Sequence, residues 1–196
     1  MRRGATVSRA TSETNIEFSL VIDGSGVSSV RSGNGFMDHM LILFAKHGLF
    51  DLSVDCSGDR EVDFHHSAED IGICLGQAIA QSLGDCRGIT RFGSVHVPMD
   101  ESLARVCVDI AGRPNLVYSV ELPDRMVSDF ECDLAEDFFK AVADHARITL
   151  HIDLLRGRNS HHSLEAVFKA FGRALSQACA INPRAPDSLP TTKGLI

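Results

Sequence analysis

Apolar and polar residues follow two rhythms along this chain, and the places where they change set out its elements. Over residues 14–22 the apolar side chains Ile16, Phe18, Leu20 and Ile22 recur at every second position, the period of a strand with one buried face. Asp23-Gly24-Ser25-Gly26 is a turn sequence, so residues 27–31 are expected to return as the second strand of a hairpin. Residues 1–9 carry no such period and read as a loose tail. Ser32-Gly33-Asn34-Gly35 breaks the chain before a helical pattern over 36–47 that Gly48 closes. Alternation resumes over 49–56 through Leu49, Leu52 and Val54, and Ser57-Gly58-Asp59 leads into a helix over 67–83, ended by Gly84 or Gly88.

The order then recurs. Strands over 103–110 and 116–122 flank Gly112-Arg113-Pro114-Asn115, again a hairpin pattern, and a helix over 134–146 follows. Ile148, Leu150, Ile152 and Leu154 mark a strand, and residues 163–180 a last helix. His96 and His151 stand in strand-like surroundings. Pro183, Pro186 and Pro190 keep the tail out of any helix. Each half thus reads strand, strand, helix, strand, helix, an α+β fold with helices on one face of each sheet.

The recurrence is residue by residue. Adding 96 to His65, His66, Ser67 and Glu69 reaches His161, His162, Ser163 and Glu165, and the same offset pairs Gly76 with Gly172, Ala78 with Ala174 and Gln81 with Gln177. Such a frame implies tandem duplication. The expectation is a single catalytic domain of two repeats, about 10–90 and 91–182, with a tail over 183–196.

Both copies place His-His-x-x-Glu at the start of a helix. Residues three and four apart share a helix face, so Glu69 can meet both His65 and His66. Adjacent histidines point about 100° apart, so one pair can serve two metal ions. Imidazole with carboxylate suits Mn, Fe, Zn, Co or Ni. In one copy alone a solvated histidine pair would be as good a reading; two copies in register favour metal. Adding 98 carries His39 to Asp137 and His47 to His145. If His39 joins the first-half cluster, Asp137 is its counterpart in the second. Asp38 could then support His39, and His47, near a helix C-terminus, reads as a structural or substrate contact. Arg91, Arg113, Lys169 and Lys193 are candidate anion holders, Lys169 as an unpaired cation one turn beyond Glu165. Thr191-Thr192-Lys193 adds hydroxyls and backbone N–H groups in the manner of a phosphate site.

Composition narrows the class. With 196 residues, 44% hydrophobic and 23% charged, the chain is an ordinary globular protein. A net charge of −7 speaks against general nucleic-acid binding yet leaves room for a small anion held by local cations. Six scattered cysteines without a CxxC pair fit free thiols in a reducing compartment. With no signal peptide and no membrane span in the sequence, a soluble cytoplasmic protein is expected.

From Glu13 to Gly194 the chain resembles the imidazoleglycerol-phosphate dehydratases, lyases of histidine biosynthesis. The likeness rests on Gly35-Phe36-Met37-Asp38-His39-Met40-Leu41, Asp63-Phe64-His65-His66-Ser67-Ala68-Glu69-Asp70, Gly112-Arg113-Pro114, and the run from Gly157 through His161-His162-Ser163-Leu164-Glu165 to Phe171. It implies a duplicated fold of the ribosomal-S5-domain-2 type and two Mn2+ per active site. It also implies a homo-oligomer, usually of twenty-four subunits, with sites between neighbours. The implied metal ligands are His39, His65, His66, Glu69, His161, His162 and Glu165, with Asp137 where the family commonly has His or Glu. Implied substrate contacts are Glu13, Arg91, Arg113 and Lys169, and Thr191-Thr192-Lys193 replaces the family's Ser-Ser-Lys. The reaction implied is loss of the ring-adjacent hydroxyl from a phosphorylated imidazole. Glu13 is the expected acid–base group, and Glu69 and Glu165 are the other catalytic carboxylates.

Two rival readings stay open. One is a different dinuclear metalloenzyme, a phosphatase or di-iron oxygenase. The other is an assembly protein in which metal only glues subunits; it predicts no need for Glu13 or Lys169.

Overall fold

The structure, a computed structural model, describes residues 2–196. The first half runs β1 (Gly4–Ala10), β2 (Thr14–Val21), β3 (Ser28–Arg31), α1 (Gly35–Gly48), β4 (Asp51–Gly58) and α2 (His65–Leu83). The second runs β5 (Phe92–Met99), β6 (Ser102–Asp109), β7 (Asn115–Ser119), a small β8 (Met126–Val127) and β9 (Phe130–Glu131) hairpin, α3 (Leu134–Ala146), β10 (Thr149–Arg156) and α4 (Ser160–Cys179). The two four-stranded sheets have matching orders, β1-β2-β4-β3 and β5-β6-β10-β7. The fold is α+β, with helices against one face of each sheet.

The four-stranded sheet of each half carries one strand more than the apolar rhythm predicts. β1 occupies the expected loose tail, paired with β2 from Gly4↔Val21 to Ala10↔Asn15. Only Val7 of its seven residues is buried, so an edge strand held by its backbone ladder leaves little periodic trace. A bidentate Arg3–Asp23 pair (2.6 and 3.0 Å) pins its start. β5 escapes the reading too, although Val95 and Val97 alternate on its inner face.

The hairpins expected at residues 23–26 and 112–115 do not form. β3 runs parallel to β4, and β7 parallel to β10. The reason lies in what the turns touch. Asp51 Oδ1 at the head of β4 accepts the backbone N–H of Ser25 (2.7 Å) and Val27 (3.1 Å), which delivers β3 to the outer side of β4. In the second half Asn115 N–H donates to Ile148 O (3.0 Å) and does the same for β10. Parallel neighbours need a crossover, which α1 and α3 supply.

The helices form where the sequence predicts them. Asn34 caps α1 by accepting the N–H groups of Phe36 and Met37 (3.0 Å each), and Asn159 caps α4 through His162 N–H (3.1 Å). The left-handed residue ending α1 is Leu49 (φ 58°), not Gly48. Gly48 serves space instead, because a Cβ there would lie 2.4 Å from the Phe50 ring. α2 and α4 begin earlier than expected, at His65 and Ser160, so both histidine pairs occupy a first helical turn.

Helices of different halves pack on each other, α1 on α4 and α2 on α3. The repeated glycines explain how closely. A Cβ at Gly172 would meet Phe44 O of α1 at 2.5 Å, and one at Gly76 would meet His145 of α3 at 2.7 Å. One apolar core runs through both halves, with Phe44 stacked on Phe171 at 5.2 Å and Phe139 against Phe168 at 4.9 Å. All six cysteines are free.

Candidate metal centre and anion pocket

The cross-packing of α1 on α4 decides which residues meet. His39 of α1 faces the second-half motif, not the first: its Nε2–H donates to Glu165 Oε1 at 2.6 Å. His161 Nε2 stands 4.0 Å from the same oxygen. One ligand atom from each of His39, His161 and Glu165 lies within 4.8 Å of the others. Donors bound about 2.1 Å from one ion lie no more than about 4.2 Å apart, so the set is slightly open, and an imidazole–carboxylate set suits a borderline divalent cation. The residues therefore fit a metal with small side-chain shifts.

Glu165 is the buried member, with 8% of its side chain exposed. Burial pushes its carboxyl up, but hydrogen bonds from Lys169 and His39 outweigh that and leave it below the usual range, hence ionised. Lys169 Nζ donates to Glu165 Oε2 (3.0 Å) and to Met99 Sδ (3.3 Å). The expected unpaired cation is thus a paired one. Nearby, burial first and then the charges of Lys169 and Arg173 lower the pKa of His47, which favours a neutral ring.

The mirror-related group is looser. Asp137 of α3 comes to the first-half motif, its Oδ2 3.8 Å from His65 Nδ1, with both side chains nearly half exposed. Glu69, one turn beyond His65, is exposed. Each α1 or α3 residue therefore serves the opposite half's motif, because each early helix packs on the other half's late one.

The second histidines turn away. The ring planes of His65 and His66 are inclined at 83° and those of His161 and His162 at 82°, each pair edge to face. Glu69 does not bridge both of its histidines: His66 Nδ1 meets Asp59 (3.0 Å). Likewise His162 Nδ1 meets Glu101 (2.9 Å) rather than Glu165. These bonds raise both imidazoles above their ordinary pKa. The His162 bond holds the Glu101 carboxyl down at about 2. Glu13, exposed in the β1–β2 turn, places Oε1 3.8 Å from His66 Nε2.

A second feature gathers the candidate anion holders. Arg91, Arg113, Thr191, Thr192 and Lys193 line an open cavity of about 500 Å³. Arg91 is committed locally, paired to Asp109 (2.7 Å) and donating to Pro190 O (2.9 Å), so it anchors the tail. Arg113 and Lys193 are exposed and form no ion pair among the described residues. Thr191 Oγ1 accepts Lys193 N–H (3.1 Å), which curls the tail over the cavity.

The cavity and the His39–His161–Glu165 cluster lie at opposite ends of β5. Arg91 precedes its first residue, whereas Met99 at its far end touches Lys169 and Glu101 beyond it holds His162. Eight steps of about 3.3 Å put roughly 26 Å between those ends.

The chain matches the family model described as imidazoleglycerol-phosphate dehydratase over residues 32–175. The imidazoleglycerol-phosphate dehydratase of Pelobacter propionicus is 55% identical over 196 residues, all of both chains. That of Heliobacterium modesticaldum is 53% identical over 194 residues, 99% of this chain and 100% of the relative. This chain belongs to the imidazoleglycerol-phosphate dehydratase family. The crystal structure of the Staphylococcus aureus dehydratase superposes with a TM-score of 0.83 at 41% identity, covering 91% of this chain and 99% of that one. The Pyrococcus furiosus structure gives 0.84 at 34%, covering 97% and 100%.

Two carboxylates at this dehydratase-family site were not found by sequence reasoning. Asp59 stands seven residues before His66, and Glu101 lies 61 positions from His162. No repeat relates them and no spacing marks them.

Proposed function

We propose that the chain dehydrates imidazoleglycerol phosphate to imidazole acetol phosphate, using two Mn2+ ions per active site. We also infer a homo-oligomeric enzyme whose sites form between subunits. The observation carrying this reading is the placement of a metal-competent His39–His161–Glu165 cluster and a cationic cavity at opposite ends of β5. A five-membered ring with a three-carbon phosphate is far shorter than that strand. On this reading one chain's cavity serves a neighbour's cluster.

His39, His161 and Glu165 would hold one ion, and His65, Asp137 and Glu69 the other. His66 and His162, held by Asp59 and Glu101, would complete centres that face a neighbouring chain. A divalent ion held by these residues would supply Lewis-acid charge that lowers the cost of negative charge developing on the substrate ring. The remaining work belongs to the protein. Arg113 and Lys193 hold the phosphate by charge, aided by the Thr191 and Thr192 hydroxyls and tail N–H groups, while Arg91 fixes the tail. Lys169 keeps Glu165 ionised and aimed. Glu13 Oε1 takes the proton from the carbon next to the one that loses hydroxide, and the enol so formed tautomerises to the ketone.

Turnover of imidazoleglycerol phosphate by metal-stripped protein, with and without added Mn2+, tests this directly. Ketone product only when Mn2+ is restored is expected; bound Mn2+ without product would leave the metal-glued assembly as the better reading. In the active protein, Glu13→Gln should lower kcat by about 10²–10⁴-fold with Mn2+ content unchanged. Full activity in that variant removes Glu13 from the mechanism.

A further inference from the structure

His66 and His162 share an arrangement that the duplicated motif does not encode. Each offers Nδ1 to a carboxylate, Asp59 at 3.0 Å and Glu101 at 2.9 Å. Each leaves Nε2 with only a distant acidic neighbour, Glu13 at 3.8 Å and Asp100 at 3.9 Å. A carboxylate accepts and never donates, so Nδ1 must carry the proton and the lone pair of the neutral ring falls on Nε2.

The carboxylates are themselves held. Glu101 Oε1 accepts the backbone N–H groups of Asn159 (3.0 Å) and Arg158 (3.3 Å), so the residue that grips the ring also ties down the loop entering α4. Asp59 sits in a turn of its own, its N–H donating to Glu13 O (3.0 Å) and its carbonyl accepting Val62 N–H (2.9 Å).

The two grips come from different places in the repeat. Gly58 and Gly157 are equivalent, since a Cβ on either would meet the hydroxyl of Ser67 or Ser163 at 2.1 or 2.2 Å. Asp59 therefore aligns with Arg158. Glu101, just before β6, aligns instead with Glu13, just before β2. Descent from one ancestral half does not supply the same bond from two unrelated positions. A surface ion pair worth about 0–1 kcal/mol would give little reason for it to arise twice.

We propose that Asp59 and Glu101 are positioning residues that fix His66 and His162 as Nε2 metal donors. Because Asp59 holds His66 in the first half, Glu13 is free of the task that its equivalent performs in the second. The proposal rests on the dimetal reading above. It goes beyond that reading by assigning roles to two residues outside the ligand set.

Asp59→Asn and Glu101→Gln test it. Either amide can turn its NH2 toward Nδ1 and reverse the tautomer, and the amide in place of Glu101 would keep an oxygen for the loop N–H groups. Metal-stripped oligomer is titrated with Mn2+, and free ion is read from its EPR signal. Each variant is expected to bind Mn2+ about 10–100-fold more weakly. Adding Asp59→Asn to His66→Gln, or Glu101→Gln to His162→Gln, should cause no further loss. Parent-like affinity in the single variants, or losses that add in the doubles as general loosening of the loops would produce, overturns the positioning role alone. A parent chain that binds no Mn2+ overturns the dimetal reading as well.

Discussion

Asp137 stands where the repeat places the counterpart of His39, and its surroundings make the two halves chemically unequal. His39 reaches a carboxylate that is 8% exposed, whereas Asp137 and His65 face each other at 3.8 Å with nearly half of each side chain in solvent. The proposed ions should therefore bind with unequal affinity, and Asp137→His should tighten the weaker step in a Mn2+ titration. Two equal steps in the parent chain would contradict this. Elsewhere, Arg3 hydrogen bonds hold the Asp23 carboxyl below its ordinary 3.8. A depressed carboxylate stabilises the fold above its unfolded pKa and loses that contribution as pH falls through the folded value. Partly exposed as the pair is, the effect is below about 1 kcal/mol. Asp23→Asn should thus melt lower than the parent at pH 7, and the gap should narrow as pH falls below the ordinary carboxylate value of 3.8. At this scale His-His-x-x-Glu was legible because it occurs twice. Asp59 and Glu101 were not, because each meets its histidine through tertiary folding and the two come from different positions of the repeat.

The elements show why some segments announce themselves and others do not. α1 and α3 carry apolar faces, and the pattern located both to within a residue or two. β1 buries a single side chain and so was silent. The turns before β3 and β7 look like hairpin turns in sequence, but Asp51 and Ile148 redirect the strands, a contact visible only in three dimensions. The closest helix-to-helix backbone approach is at Gly172, where a Cβ would press on the α1 backbone at 2.5 Å. Ala in a helix ordinarily stabilises by roughly 0.5–1 kcal/mol over Gly. Gly172→Ala should instead destabilise by about 1–3 kcal/mol and weaken Mn2+ binding, since it parts α1 from α4 and His39 from Glu165. Gly35→Ala, with nothing within 4 Å of the added carbon, should melt at or above the parent temperature. Thermal unfolding of the two variants side by side reads the difference; equal shifts would contradict the close-packing account.

For the whole molecule, duplication was plain from the fixed offset, and with it the α+β class and the two motif sites. The crossing of the halves was not, because which helix packs on which is set by close glycine contacts and a shared aromatic core, not by either repeat alone. That crossing puts His39 with Glu165 and Asp137 with His65. Among the described residues no helix is long and apolar enough to cross a membrane. The separation of the Arg113–Lys193 cavity from the His39–His161–Glu165 cluster along β5 is likewise a property of the folded chain, and it makes the central claim testable. Arg113→Ala should disable the cavity and Glu165→Gln the cluster, each leaving an inactive protein. The two variants are dissociated, mixed and reassembled with Mn2+, mixed oligomers are verified by native mass spectrometry, and dehydration is then assayed. Activity recovered in the mixture is the predicted result, since a sound cavity from one chain meets a sound cluster from another. Mixed oligomers that stay inactive would contradict a site shared between subunits.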